Sequence, residues 1–104
     1  MQESQFGILA EQMIASIAEQ IEEQDLRAVI EVDLLGDILS LITPVGQYII
    51  NKQTAAKELW LVSPISGPYH FIYLKDKWQT RQGIEILSLL NSELSRFVSL
   101  SLEY

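Results

Sequence analysis

The first 24 residues show the apolar spacing of an amphipathic α-helix. Apolar side chains recur every three or four positions, as one buried helix face requires. They are Phe6, Leu9, Ala10, Met13, Ile14, Ile17 and Ile21. Ser4 is a suitable N-cap, so the pattern predicts a helix over residues 4–24. Four acids, Glu11, Glu19, Glu22 and Glu23, fall on the opposite, solvent-facing side of this helix.

The middle of the chain alternates between apolar and polar positions, which is typical of strands with one buried face. In residues 28–35, Ile30 and Val32 point one way, while Glu31 and Asp33 point the other. Further strands are predicted over residues 38–42, 47–51, 58–63 and 69–73, with a short one at 78–80. Turn residues separate them.

The helical period returns over residues 82–99, where Ile84, Leu87, Leu90 and Leu94 share one face. Short strands at turn-sized separations favour an antiparallel sheet, and the two end helices can cover one of its faces. We therefore predict an α+β fold: a two-layer α/β sandwich in which two terminal helices pack on a sheet of about five to six strands. Residues 1–104 should form a single domain.

Net charge and cysteine content exclude several classes of protein. The 104 residues carry a formal net charge of −7, and nine of the 14 acidic residues lie within residues 1–37, where Arg27 is the only base. Such a charge disfavours nucleic acid and membrane surfaces as partners. The chain has no cysteine, which excludes disulfides and thiolate metal sites. With neither a signal-like start nor a long apolar run, we expect a cytoplasmic protein.

Six carboxylates continue from the predicted first helix into the first strand and could share one edge of the fold. They are Glu19, Glu22, Glu23, Asp25, Glu31 and Asp33. Carboxylate oxygens suit hard cations, including Fe³⁺, and tolerate Fe²⁺. No calcium-loop spacing is present, so any metal site should be open, hydrated and weak. A solvated acidic face that aids solubility is the alternative.

Two aromatic positions are candidates for other roles. Trp60 alternates with Leu59 and Leu61 and would lie on the open face of the sheet, as an anchor for a protein partner, if those leucines face the helices. The alternative, which the local pattern favours equally, is that Trp60 belongs to the core. His70 should point outward, as a structural histidine or as a metal ligand. No phosphate-binding loop, nucleophile elbow or zinc-protease motif occurs, so no enzymatic activity is expected.

Several motifs, taken together, resemble the frataxin family in order and spacing. They are Asn51-Lys52-Gln53-Thr54, Leu59-Trp60-Leu61, Ser63-Pro64-x-Ser66-Gly67-Pro68 and Tyr69-His70-Phe71. The acidic first helix and strand, Gly36, Trp78 and Gly83 extend the resemblance over nearly the whole chain. The histidine makes the chain most similar to the bacterial branch.

The resemblance implies a frataxin-like fold and an iron-binding accessory role in iron–sulfur cluster assembly. Weakly bound iron, Fe²⁺ or Fe³⁺, would lie on an acidic ridge, a name we use for Glu11, Glu19, Glu22, Glu23, Asp25, Glu31 and Asp33. The implied partners are a cysteine desulfurase and the iron–sulfur scaffold protein. Contacts to a partner would come from Asn51, Lys52, Gln53 and Trp60. Ala18, Arg27 and Val29 stand where relatives often carry acids.

Three alternatives stay open. The protein would act either as an iron donor or as a regulator of the desulfurase, or it would be a metal-independent acidic module that binds the desulfurase electrostatically. Oxidation of Fe²⁺ at the ridge is the one enzymatic reaction that the family resemblance suggests. We expect a monomer, with iron-dependent oligomers as the alternative.

Overall fold

The computed structural model describes all 104 residues. Helix α1 spans Glu3–Gln24, and helix α2 spans Ile86–Leu94. Six strands lie between them: β1 (Glu31–Leu35), β2 (Ile38–Thr43), β3 (Gly46–Gln53), β4 (Glu58–Ser63), β5 (Gly67–Leu74) and β6 (Lys77–Gln79). No helix is long and apolar enough to cross a membrane.

The six strands form one antiparallel sheet in the order β1-β2-β3-β4-β5-β6, so every strand pairs with its neighbour in sequence. Both helices contribute side chains to a single apolar core on one face of this sheet, and the other face is left open. Alternation along the strands decides which side chains enter the core: Leu59 and Leu61 are fully buried, whereas Trp60 between them is only partly buried. The predicted two-layer fold is confirmed.

The predicted strand bounds agree with the structure to within two residues, except at β1. The prediction of a strand from residue 28 was wrong, because β1 begins at Glu31. Ala28 has a positive φ of 51°, which a strand does not accommodate. Both carboxylate oxygens of Asp25 accept backbone N–H groups of the following loop, from Val29 at 3.0 Å and Ile30 at 2.7 Å. Residues 25–30 therefore form a fixed loop before the strand.

Both helices begin differently from the prediction. The N-cap of α1 is Gln2, not Ser4, and Gln2 and Gln5 exchange hydrogen bonds as a capping box. Helix α2 begins at Ile86 rather than near residue 82, because Gly83 has a φ of 95° and the Glu85 side chain caps the N–H groups of Leu87 and Ser88. It ends at Leu94, five residues earlier than predicted.

Residues 99–104 pass between the two helices as an extended tail held by side-chain amides. Gln24 donates to the carbonyl of Ser101 and accepts its N–H, and Gln20 pairs in the same way with Glu103. From the other side, Asn91 pairs with both backbone groups of Leu102, whose side chain is buried. We call these three side chains, Gln20, Gln24 and Asn91, the amide ladder; it joins the last turns of α1 to α2.

A buried carboxylate fastens α2 to the sheet. Glu93 is 5% exposed and accepts hydrogen bonds from the hydroxyls of Tyr48 (2.7 Å), Ser63 (2.6 Å) and Ser66. Burial by itself would raise the pKa of Glu93, but the hydroxyl donors, with a smaller contribution from Arg96, outweigh it and leave that pKa below its ordinary value. Glu93 is therefore charged at neutral pH and fully hydrogen-bonded.

Candidate functional site

The acidic ridge wraps around the β1 edge of the sandwich. Its members on α1 lie on the exposed side of the helix, with about 16 Å between Glu11 and Glu22 along the helix axis. Glu31 and Asp33 pair across the sheet with Ile42 and Ser40, and so point to the open face. Glu22 and Glu31 line one open cavity of about 300 Å³. The helix and strand contributions to the ridge therefore meet at the end of α1.

Asp25 is the least available member of the ridge. It is 6% exposed, and the two hydrogen bonds to the backbone of the loop that follows occupy both of its oxygens. Its carboxylate thus holds the connection between α1 and β1 and keeps Glu22 and Glu31 close together. The position of Asp25 directly after a predicted helix was a sequence signal for this role. The backbone groups that it binds could not be predicted from the sequence.

Glu11 belongs to the other end of the ridge. The Lys52 ammonium lies 3.7 Å from the Glu11 carboxylate and 3.3 Å from the carboxylate of Asp37, which lies in the β1–β2 turn. Lys52 therefore links α1 to this turn. Lys52 pairs with Leu59, which is buried beneath the helices, so its side chain lies on the helix side of the sheet. The structure therefore separates Lys52 from the open-face residues with which it was grouped in the sequence analysis.

The ridge contains no preformed metal cage. Nowhere in the structure do three or more His, Asp or Glu side chains come close enough together to hold one metal ion. The exposed carboxylates still fit a hard cation chemically, because oxygen ligands of this kind leave room for bound water. The donors are thus separate, exposed carboxylates and not an enclosed set of ligands.

On the open face, Asn51, Trp60 and His70 lie side by side in one row across β3, β4 and β5. The Trp60 and His70 rings are stacked, with centroids 4.3 Å apart and planes 5° from parallel. Gln53 lies on the same face, opposite Glu58. Of the two alternatives left open for Trp60, the open face and the core, the burial of Leu59 and Leu61 selects the open face.

Glu58 and Arg81 support this row, and neither was predicted as a site residue from the sequence. Glu58 is 6% exposed; it accepts the Trp60 indole N–H at 2.8 Å and an Arg81 guanidinium N–H at 2.8 Å. The indole N–H and then Arg81 lower the pKa of Glu58 despite its burial. His70 Nδ1 lies 3.6 Å from the same carboxylate. The i, i+2 spacing of Glu58 and Trp60 was the available sequence signal, whereas nothing local pointed to Arg81.

Comparison with known proteins gives one consistent result. Residues 1–99 match the model of the frataxin-like domain. The chain is 36% identical over 99 residues to the iron-sulfur cluster assembly protein CyaY of Thioalkalivibrio sulfidiphilus, which covers 91% of this chain and 92% of that protein. The chain spans about half the length of the mitochondrial frataxin homologues of Saccharomyces cerevisiae and Schizosaccharomyces pombe, which it also matches.

Solved structures of frataxins are also similar to this chain. A frataxin from Psychromonas ingrahamii superposes with a TM-score of 0.86 at 29% identity, with all of both chains covered. A trimeric frataxin from Saccharomyces cerevisiae complexed with ferrous iron superposes with a TM-score of 0.71 at 29% identity, covering 95% of this chain and 88% of that one.

Proposed function

The chain belongs to the frataxin family, and from this membership we propose that it is an iron-binding accessory protein of iron–sulfur cluster assembly. The observation that carries the proposal is the meeting of Glu22 and Glu31 around one open cavity at the β1 edge. A related protein is named for iron–sulfur cluster assembly, and a structural neighbour was solved with ferrous iron. Both facts point in the same direction as the carboxylate chemistry.

Iron is the cargo of this proposed site. Glu22 and Glu31 would supply oxygen ligands, Glu19 and Glu23 would add negative potential from the exposed side of α1, and water would complete the coordination. Such a site binds weakly, which suits an ion that must be handed on. Asp25 would act through the loop it fixes, since its own oxygens are engaged.

The proposed protein partners use two surfaces. The acidic ridge would dock on a basic patch of the cysteine desulfurase, where complementary charge speeds association. The open-face row of Asn51, Trp60 and His70, with Gln53 beside it, would contact the scaffold protein. Lys52 would contribute indirectly, because its ammonium holds Glu11 and Asp37 on the helix side of the sheet.

Anaerobic titration with Fe²⁺, followed by residue-resolved NMR, tests the iron site. Paramagnetic broadening should concentrate on the end of α1 and the start of β1, and a Glu22→Gln, Glu31→Gln double variant should lose most of it. Glu3→Gln, an exposed acid at the other end of α1, is the matched control and should broaden like the unmodified protein. Broadening spread evenly over the chain, or unchanged in the double variant, would contradict the site.

A second candidate function follows from the lack of a preformed cage. In that case the ridge would be a purely electrostatic docking surface, and the protein would regulate the desulfurase without metal. Binding to purified desulfurase would then be unaffected by a chelator and weakened by salt. A chelator-sensitive interaction would instead favour the iron-dependent role.

A further inference from the structure

A small apolar depression lies next to the acidic ridge, at the end of α1. Its apolar lining residues are Leu26, Val29, Phe97 and Val98, which we call the apolar notch, in a cavity of about 500 Å³. Leu26 is 90% exposed and Val29 is 37% exposed, so burial in the core explains neither side chain. Phe97 and Val98 are partly buried and pack against the core, whereas Leu26 and Val29 leave apolar surface exposed beside them. Single exposed leucines are common on protein surfaces, but this one stands next to other apolar side chains around one cavity.

The loop that carries Leu26 and Val29 is rigid. Asp25 donates its N–H to Ile21 at the end of α1, and the Ala28 N–H returns to the Asp25 carbonyl at 3.0 Å. The Asp25 carboxylate accepts the N–H groups of Val29 and Ile30. Because the backbone is fixed on both sides of Leu26, binding at the notch would cost little ordering of the loop.

The notch is bordered by negative charge. Asp25 lines both the notch cavity and the cavity that contains Glu22 and Glu31, so the two cavities are neighbours. Glu23 is exposed on the last turn of α1. Arg27, which also lines the notch cavity, is the single cation of this loop, against the three glutamates beside it. A partner seated here should therefore present an apolar side chain within a basic surface.

We propose that the apolar notch is a docking site for a protruding apolar side chain of the same basic protein surface that binds the acidic ridge. This inference rests on the proposed function, since it assigns an anchor to the partner that the ridge attracts. The ridge contributes electrostatic binding free energy, which salt screens, and the notch contributes hydrophobic binding free energy, which salt does not screen. Affinity remaining at high salt is therefore the signature of the notch.

The test measures binding of the full chain to purified cysteine desulfurase at 0.15 M and at 1 M salt. At 1 M salt the Debye length falls to about 3 Å, so the electrostatic contribution largely disappears. Leu26→Ser should weaken binding about tenfold or more at both salt concentrations, because it removes a side chain that would be buried in the complex. Leu74→Ser, which changes an exposed leucine at the far edge of the sheet, is the matched control and should bind like the unmodified protein.

The outcomes separate the two proposals. A Leu26→Ser variant that binds as tightly as Leu74→Ser would overturn the notch, as would a Leu26→Ser defect that is present at 0.15 M salt and vanishes at 1 M. Glu22→Gln with Glu31→Gln should weaken binding at 0.15 M only; no weakening there would count against the ridge and hence against the proposed function. Thermal unfolding of each variant confirms that it is folded.

Discussion

Replacing Glu93 with glutamine should destabilise the protein in a way that depends on pH. The substitution keeps the shape of the side chain but removes the charge that three hydroxyls now solvate, those of Tyr48, Ser63 and Ser66. One acceptor oxygen remains, while the new NH₂ group meets a hydroxyl that must reorient.

The magnitude follows from the difference between charged and neutral hydrogen bonds. A bond to a charged group contributes roughly 1.5–3 kcal/mol and a neutral one roughly 0.5–1.5 kcal/mol. Replacing three charged hydrogen bonds with neutral ones lowers the stability of the folded state, but the neutral amide costs less to bury than the carboxylate, which offsets part of this loss. A net decrease of about 2 kcal/mol in the free energy of unfolding at pH 7 is expected. For a domain of this size it lowers Tm by roughly 8–16 °C.

The sign of the pH dependence follows from the lowered pKa of Glu93. A carboxyl whose pKa is lower in the folded state stabilises the protein above its unfolded pKa, and this stabilisation is lost as pH falls through the folded value. The gap in Tm between the unmodified protein and Glu93→Gln should thus be widest near neutral pH and narrow below about pH 4.

Thermal unfolding followed by circular dichroism at pH 7, 5, 4 and 3 measures this gap. Glu103→Gln is the control, since its exposed side chain should change stability by less than about 0.5 kcal/mol. An unchanged Tm for Glu93→Gln at pH 7 would refute the reasoning. So would a gap that keeps its full size down to pH 3, because the ionised carboxylate would then not be its cause.

Two further predictions concern the amide ladder and the open face. Asn91→Leu leaves the backbone groups of Leu102 without partners and should lower the free energy of unfolding by about 1–3 kcal/mol, with faster amide hydrogen exchange at residues 101–103. Ser92→Ala on the exposed side of α2 should change neither measurement, and equal exchange in both variants would argue against the ladder. Trp60→Ala should weaken binding to the scaffold protein about thirtyfold, measured by calorimetry, as expected when a central aromatic anchor is lost. Ile8→Ala, which changes an exposed residue of the helix layer, is the control and should leave the affinity unchanged. Equal affinities of the two variants would show that Trp60 is not part of the interface.

The fold was predictable because apolar residues show a clear helical spacing at the chain ends and a clear strand alternation between them. Alternation predicted that Trp60 faces away from Leu59 and Leu61, although not which of them is inside, and the helical spacing of α1 matches its buried residues. The same alternation also places Lys52 inward, two positions after buried Ile50. The prediction that Lys52 joins Asn51, Gln53 and Trp60 in a partner contact came from the family resemblance and not from this local pattern.

Element ends and polar networks were less predictable, since distant residues decide them. The path of the C-terminal tail depends on backbone bonds with Gln20 and Gln24, about 80 residues away. Burial of Glu93 depends on hydroxyls from β3, from the end of β4 and from the turn that follows it. No local pattern distinguishes such a glutamate from an exposed one on the same helix.

The pairing of each strand with its neighbour in sequence has a consequence for folding. Each hairpin can close over a short loop at small entropic cost, so the sheet can assemble from local contacts, which favours rapid folding. The amide ladder, by contrast, joins positions 77 and 83 residues apart and gains nothing until both ends of the chain are in place. Opening at the chain ends would thus free the last turns of α1 first, where Glu19, Glu22 and Glu23 of the acidic ridge lie, and leave the Trp60 face intact.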